Sequence, residues 1–470
     1  MDATLSRAEP IQPPRFSVLR SMKLGVFHIG SSFADILGSS LWNYTMANGM
    51  AALGGFVATP VTLLLALRQL MVPLTIWAGH LSDTRPIFGL RRIPYIWIGR
   101  GMMLLSLPLL PLATGMILGG SAPAGWAIAL VSFLAFGVGT QLSGSPFVAL
   151  VRESAPPERQ GMAYAIVQTM LVAAFAFSPI IYARLATAIV PTVNPGESAL
   201  RQYNLDIFSA ATVVGVTIAL IAWVVSIAGE ERRNAAHSRI ANDDYKQFGA
   251  VLRDIIGDRR ARAFFGLLAV GAMSGFAQDG IFEPSLRQVF GATFSGAAGI
   301  VGVWGIGLLL GLVGSIFLTR KWATVEQVKV TAVGLVLASL SLFGLAFAMW
   351  TVNAALLIPA VLAFGLGFGI YTAGGSPLLM VMTLDARAGV YLGVWSMAQL
   401  LFRGIGVALG GVIFDLASRA LGSPASGYAL VYFLEAIGFA ACLYFLRASD
   451  VRAFARTTQA PSTAALTMAD

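Results

Sequence analysis

Four residues near the N-terminus, His28, Ser31, Ser32 and Asp35, fall at i, i+3, i+4 and i+7, so a helix would carry them as one polar stripe on an otherwise apolar surface. A second group, Gln278, Asp279, Glu283 and Arg287, repeats the theme, with Pro284 inside it to break the helical hydrogen-bond ladder. Two carboxyls one turn apart in low dielectric do not both ionise without a nearby cation. Arg68 and Arg403, each inside its own apolar run, are the cations on offer. Such a set can bind a substrate or a proton, or it can be a pair of structural ion bridges; the spacing admits both. Enzymatic chemistry is poorly served. No nucleophile–base constellation or phosphate-cradling loop is evident, and His28, His80 and His237 are too scattered for a metal cluster. The lone Cys442 excludes a disulfide or CxxC site. The chain is therefore not expected to be an enzyme, nor to carry a redox cofactor or a protein metal site.

The elements that must position these residues follow from composition. Of 470 residues 57% are hydrophobic and 11% charged, against roughly 25% charged in a soluble domain. Apolar runs of about 20 residues, enough to cross a bilayer as helices, recur along the chain. They predict an all-α integral membrane protein with twelve spans, starting near residues 22, 56, 94, 126, 161, 207, 263, 296, 327, 353, 389 and 427. Both termini then fall on one side. Of the 31 Lys and Arg, Arg184, Arg201, Arg287 and Arg419 lie on the other side and Arg68, Arg100 and Arg403 inside spans; the remaining 24 mark the common side as cytoplasmic. The net charge of +9 follows this topology and builds no basic face for nucleic acid. Residues 1–21 are read as a polar cytoplasmic tail without the features of a signal peptide. Residues 22–229 form a first six-helix bundle, 230–262 a cytoplasmic linker, 263–446 a second bundle and 447–470 a C-terminal tail. Within the linker, Phe248, Val251, Leu252, Ile255 and Ile256 would share one face of a surface helix, unless the stretch is simply solvated.

An ionisable group at mid-bilayer needs a partner. Asp35 lies about 13 residues into the first span and Arg68 at about the same depth in the second, roughly 20 Å from the cytoplasmic side at about 1.5 Å per residue. They are expected to pair, and Arg403 to pair with Asp279, leaving Glu283 free for ligand or proton. Asp415, Arg100 and Arg419 sit nearer span ends and are expected to snorkel. Gly307 with Gly311, and Gly406 with Gly410, predict close helix contacts.

The two halves echo each other. Phe136 to Pro146 resembles Phe364 to Pro377, and R-x-G follows each, at Arg159 and at Arg387, with a common offset of 228 residues. The joint between the second and third spans holds Gly79, Asp83, Arg85, Gly89, Arg91 and Arg92, which match the G-x-x-x-D-R-x-G-R-R type motif of the major facilitator superfamily with extra residues between. That resemblance implies two six-helix pseudo-repeats around a midplane site, and a motif that holds one access state without touching ligand. It also implies that Glu435, midway along the last span, faces outward towards another membrane protein. More narrowly, Leu90 to Trp97 and the segment Gln278, Asp279, Glu283, Pro284 are similar to the LRR-[IV]-PYIW and QD-x-x-x-EP segments of the PucC/LhaA family of photosynthetic bacteria. This implies a multi-pass protein of the bacterial inner membrane, cytoplasmic or photosynthetic, that binds or delivers (bacterio)chlorophyll or a precursor. Its partners would be the bilayer, the pigment, and an antenna apoprotein or pigment-synthesis enzyme. His28 is then either the axial ligand of the pigment magnesium or an ordinary packing residue. The alternatives are a proton-coupled exporter of a small solute, with Asp35, Asp279 and Glu283 as proton carriers, and an assembly scaffold that binds no ligand.

Overall fold

The computed structural model describes residues 16–51, 53, 55–189, 197–231, 244–383 and 388–454. Most of both tails, the middle of the linker and Arg387 of the second R-x-G pair lie outside them. Every named element is helical. The first segment is α1 (Val18–Ile36), a π-helical turn (Leu37–Leu41) and α2 (Trp42–Ala51). The second and third are α3 (Ala58–Leu70) with α4 (Leu74–Thr84), and α5 (Ile93–Ser106) with α6 (Leu109–Leu118). Pro73 and Pro108 sit at the two joints, each just before the later helix. Long helices follow: α7 (Ala122–Glu153), α8 (Gln160–Ile189) and α9 (Glu197–Ile227).

After the linker helix α10 (Asp244–Gly257) the seventh segment is α11 (Arg259–Phe276), a 3₁₀ turn (Ala277–Gly280) and α12 (Phe282–Phe290), bent by 48°. Then come α13 (Phe294–Thr319), α14 (Gln327–Trp350), α15 (Ala354–Val381), α16 (Ala388–Leu421) and α17 (Pro424–Ala448). Caps mark several starts: the side chains of Ser17, Asp258, Thr293 and Asn353 each accept a backbone N–H of the first turn.

Among the described residues ten helices are long and apolar enough to cross a membrane, and the bent α11–α12 pair makes an eleventh. The segment Val18–Ala51, which is split by the π turn and carries the polar stripe, is not among them. Large apolar side chains stay on the outside, Leu105, Val213, Leu318 and Leu340 among them, as contact with lipid requires.

The helices pack in two groups. In the first, α1 lies against α8 and α9 while α7 lies against α4, α5 and α6; in the second, α15 lies against α13 and α14 while α17 lies against α11, α14 and α16. The groups meet where α3 packs on α16, α8 on α13, and α2 on α12. The echoed segments take α7 and α15, with Pro146 and Pro377 inside the helices. The expected glycine contacts are present. A methyl group on Gly307 would lie 2.5 Å from the Leu362 carbonyl oxygen, and one on Gly406 would lie 2.6 Å from that of Met273. The linker helix docks against α11 and α16 through Val251 and Ile255, both buried, whereas Ile256 of the expected apolar face is exposed.

Candidate functional site: a charged cavity between two helix groups

The seventh segment is where the chain departs most from regular helix. The 3₁₀ turn and the bend leave backbone groups without intrahelical partners. Glu435 of α17 fills one of these gaps, its Oε1 accepting the Gln278 backbone N–H at 2.7 Å. Glu435 is 3% exposed. It does not face outward as expected, because the interrupted ladder of the neighbouring segment offers it a donor inside. The same turn presents Asp279, whose carboxylate pairs with Arg403 of α16 at 2.8 Å, while the guanidinium lies 4.0 Å from the centre of the Phe276 ring. In the first group, Arg68 near the end of α3 forms an ion pair with Asp35 of α1. Its backbone carbonyl accepts from Gln141 of α7 at 2.8 Å. Both pairings expected from matched depth are formed, and the two pairs are close enough for their charges to act on one another.

Asp35, Arg68 and Arg403 form the inner limit of a cavity of about 780 Å³. His28, Asp35, Arg68, Gln141 and Arg403 all line it, with Phe27, Phe136 and Phe147 as its aromatic wall. It runs from there to Asp83, Arg92 and the exposed Arg152 and Glu153 at the end of the bundle nearest the linker. The imidazole of His28 packs edge-on against Phe147, ring centres 5.4 Å apart. Gln278, Asp279 and Glu283 are not in the wall. Gln278 is turned back onto the Gly275 carbonyl. Glu283, 5% exposed, has one carboxyl oxygen without a partner and lines a separate crevice of about 10 Å³ beside Ser40 and Tyr44, too small to hold more than about one water.

The far end of the interface is closed by hydrogen bonds between the groups. Asn43 donates to the Asp279 carbonyl at 3.0 Å, Tyr44 to that of Ala292 at 3.2 Å, and Arg287 Nε to Asn48 Oδ1 at 2.7 Å. Asp415 does not snorkel: its carboxylate accepts the Ala58 and Thr59 N–H groups at 2.9 and 2.8 Å and caps the start of α3 from the other group.

At the linker end the motif ties together helices of the first group. Arg92 reaches Asp83 at 2.6 Å and Glu153 at 2.8 Å, and donates to Ser82 Oγ at 2.9 Å. Burial opposes the charge on this guanidinium, but the hydrogen bond and charge of Glu153, together with Asp83, hold its pKa above the ordinary value. Arg91 stands 3.9 Å from Glu153, and the exposed Arg85 contributes its backbone carbonyl, which accepts from Tyr95 at 2.6 Å. Gly89 takes φ +77° in the tight turn where Ile87 and Leu90 pair, a conformation that favours glycine. Gly79 allows α4 to approach α7, since a methyl there would lie 2.7 Å from Ser145 Oγ.

Two residues that the sequence reading passed over complete this end. Glu231 accepts the Arg91, Arg92 and Ile93 N–H groups and so caps α5. Glu230 binds Arg20 and Lys23 at 2.6 and 2.7 Å. Their only sequence signal is a Glu pair at the close of a long apolar run.

The fold is that of major facilitator transporters. The chain superposes on the D-xylose–proton symporter with a TM-score of 0.66 at 15% identity, covering 91% of this chain and 97% of that one. On the nucleoside transporter NupG (D323A mutant) the TM-score is 0.63 at 12% identity, covering 92% and 100%. Within that class the sequence is specific: the family described as PUCC protein matches residues 50–453, and the chain belongs to it. Similar curated proteins include the "uncharacterized protein in puhA-bchM intergenic region" of Rhodobacter capsulatus, 25% identical over 88% of this chain and 85% of the relative. Others are the "bacteriochlorophyll synthase 44.5 kDa chain" of the same species, 24% identical over 77% and 80%, and protein PucC of Rhodovulum sulfidophilum, 25% identical over 87% and 89%.

Proposed function

We propose that this chain is a twelve-span protein of the bacterial inner membrane, both termini cytoplasmic, that binds bacteriochlorophyll or a precursor and delivers it to antenna assembly or pigment synthesis. It is not an enzyme in this reading. The observation that carries the proposal is the wall of the cavity: in a PucC-family chain, His28 stands beside Phe27 and Phe147 at the edge of a space of about 780 Å³. Pockets of ~300–1,000 Å³ are of ligand-binding size, and the aromatic rings beside His28 offer flat faces to a large ring system. The imidazole makes no hydrogen bond among the described residues, which leaves a nitrogen for the magnesium of the cargo. The cavity opens at the linker end, the cytoplasmic side in this topology, where a soluble or membrane partner can receive the pigment. The Asp83–Arg92–Glu153 cluster, at the linker end of the same cavity, then holds the first group rigid while the cargo sits deeper, beside His28.

The paired charges at mid-depth favour a second reading, a proton-coupled exporter, in which Asp35 and Asp279 exchange protons for their arginines. Purification from a pigment-making host separates these. A green preparation whose absorption band shifts in His28→Leu supports delivery. A colourless preparation that takes up solute into vesicles under a pH gradient supports the exporter, and a colourless, transport-inactive one supports a scaffold.

A further inference from the structure

Arg100 was expected to snorkel from α5 to the membrane edge, yet it is 4% exposed and points inward. Its guanidinium carbon lies 4.3 Å from the centre of the Phe27 ring and 4.7 Å from that of Trp223. The box is built with care: Trp223 Nε1 donates to the Phe27 carbonyl at 3.1 Å, and Gly30 leaves room for the indole, since a methyl there would lie 2.8 Å from Nε1. Arg68, Arg92 and Arg403 all meet carboxylates. Arg100 meets none among the described residues. Its one protein hydrogen bond is from Nη1 to the Met103 sulfur at 3.1 Å, and its Nε has no partner. Two aromatic faces return only part of what a desolvated charge costs. The missing component is an anion, and Arg100 lines the cavity beside His28, Phe27 and Phe147.

We infer that Arg100 is the anion-recognition point of the cavity, and that the occupant is a large apolar ring system bearing a free carboxylate. This rests on the pigment reading and narrows it: the cargo is a chlorin acid, whose carboxylate replaces the anion Arg100 lacks, and not the fully esterified pigment, which has no such group. A planar guanidinium is suited to a carboxylate, which accepts two parallel N–H bonds.

The test uses the full chain in detergent, with a magnesium-free chlorin acid, pheophorbide a, and its methyl ester as probes, so that ligation by His28 does not enter. Binding is read from quenching of tryptophan fluorescence. The wild type should bind the acid about ten-fold or more tighter than the ester, the scale of one charge-assisted hydrogen bond. Arg100→Gln should bind acid and ester equally, and Arg100→Lys should keep part of the preference. If Arg100→Gln does not fold, the wild-type and Arg100→Lys comparisons still decide. Equal binding of acid and ester by the wild type overturns the anion assignment while leaving the pigment reading standing. An acid preference that survives in Arg100→Gln overturns it in favour of another cation. If neither chlorin binds, the pigment reading fails and this assignment fails with it.

Discussion

The inner limit of the cavity and its wall treat buried arginine in opposite ways. At the inner limit, Arg68 and Arg403 come from one helix each and find an acid on another, so that the charge is cancelled inside the protein. In the wall, Arg100 is more deeply buried than either, yet it is held between two aromatic rings with no acid. The first arrangement secures the helices that carry it. The second leaves an electrostatic demand that a ligand can meet, so removing the charge should hurt stability in one region and recognition in the other.

The largest effect is expected at Asp35 and Arg68. Either Asp35→Asn or Arg68→Gln strands a buried charge, which typically costs about 3 to 5 kcal/mol, here towards the lower figure because Asp35 is partly exposed. Melting temperature in detergent should fall for each, and the double variant should recover part of the loss; additive losses would show that the two charges do not interact. Next comes Glu435→Ala, which leaves the Gln278 N–H unsatisfied in a buried turn and should cost about 1 to 3 kcal/mol. An unchanged melting curve would place the carboxyl outside the packing that holds the seventh segment. Arg100→Gln should change the melting temperature less than either, because the lost ring contacts, about 1 to 2 kcal/mol, are offset by no longer burying a charge. A loss as large as that of Arg68→Gln would erase the contrast between the two regions. The smallest effect is expected outside the cavity. Glu326→Gln removes pairs to Lys329 and Arg452 that lie in solvent, and should leave the melting temperature unchanged within error.

How far these regions were legible follows from which physical quantity each depends on. Helix starts were readable because an apolar run of spanning length has few other uses: most lie within about four residues of the expected position, although α9 begins at Glu197, some ten residues early. The Asp35–Arg68 pair was readable because depth along two antiparallel helices is a function of residue count alone. Arg100 was misjudged for the converse reason. It lies seven residues into α5, at snorkelling distance by count, and only packing against Phe27 and Trp223 from other helices turns it inward. Glu435 and Asp415 fall in the same class, since each answers backbone N–H groups freed in a distant segment. Rotation of one helix against its neighbours is set by tertiary contacts, and no periodicity within α17 or α16 encodes it.

The central claim is that pigment sits in this cavity and not on the lipid-facing surface. Gly144 of α7 lines the cavity, and nothing lies within 4 Å of where its Cβ would be, so Gly144→Trp starts a bulky side chain into that space from a Cβ that meets no protein atom. Absorbance of the purified protein, per chain, after expression in a pigment-making host is the measurement. The account predicts a green wild type and a folded, monodisperse Gly144→Trp protein with little or no pigment; a variant as green as the wild type would contradict it.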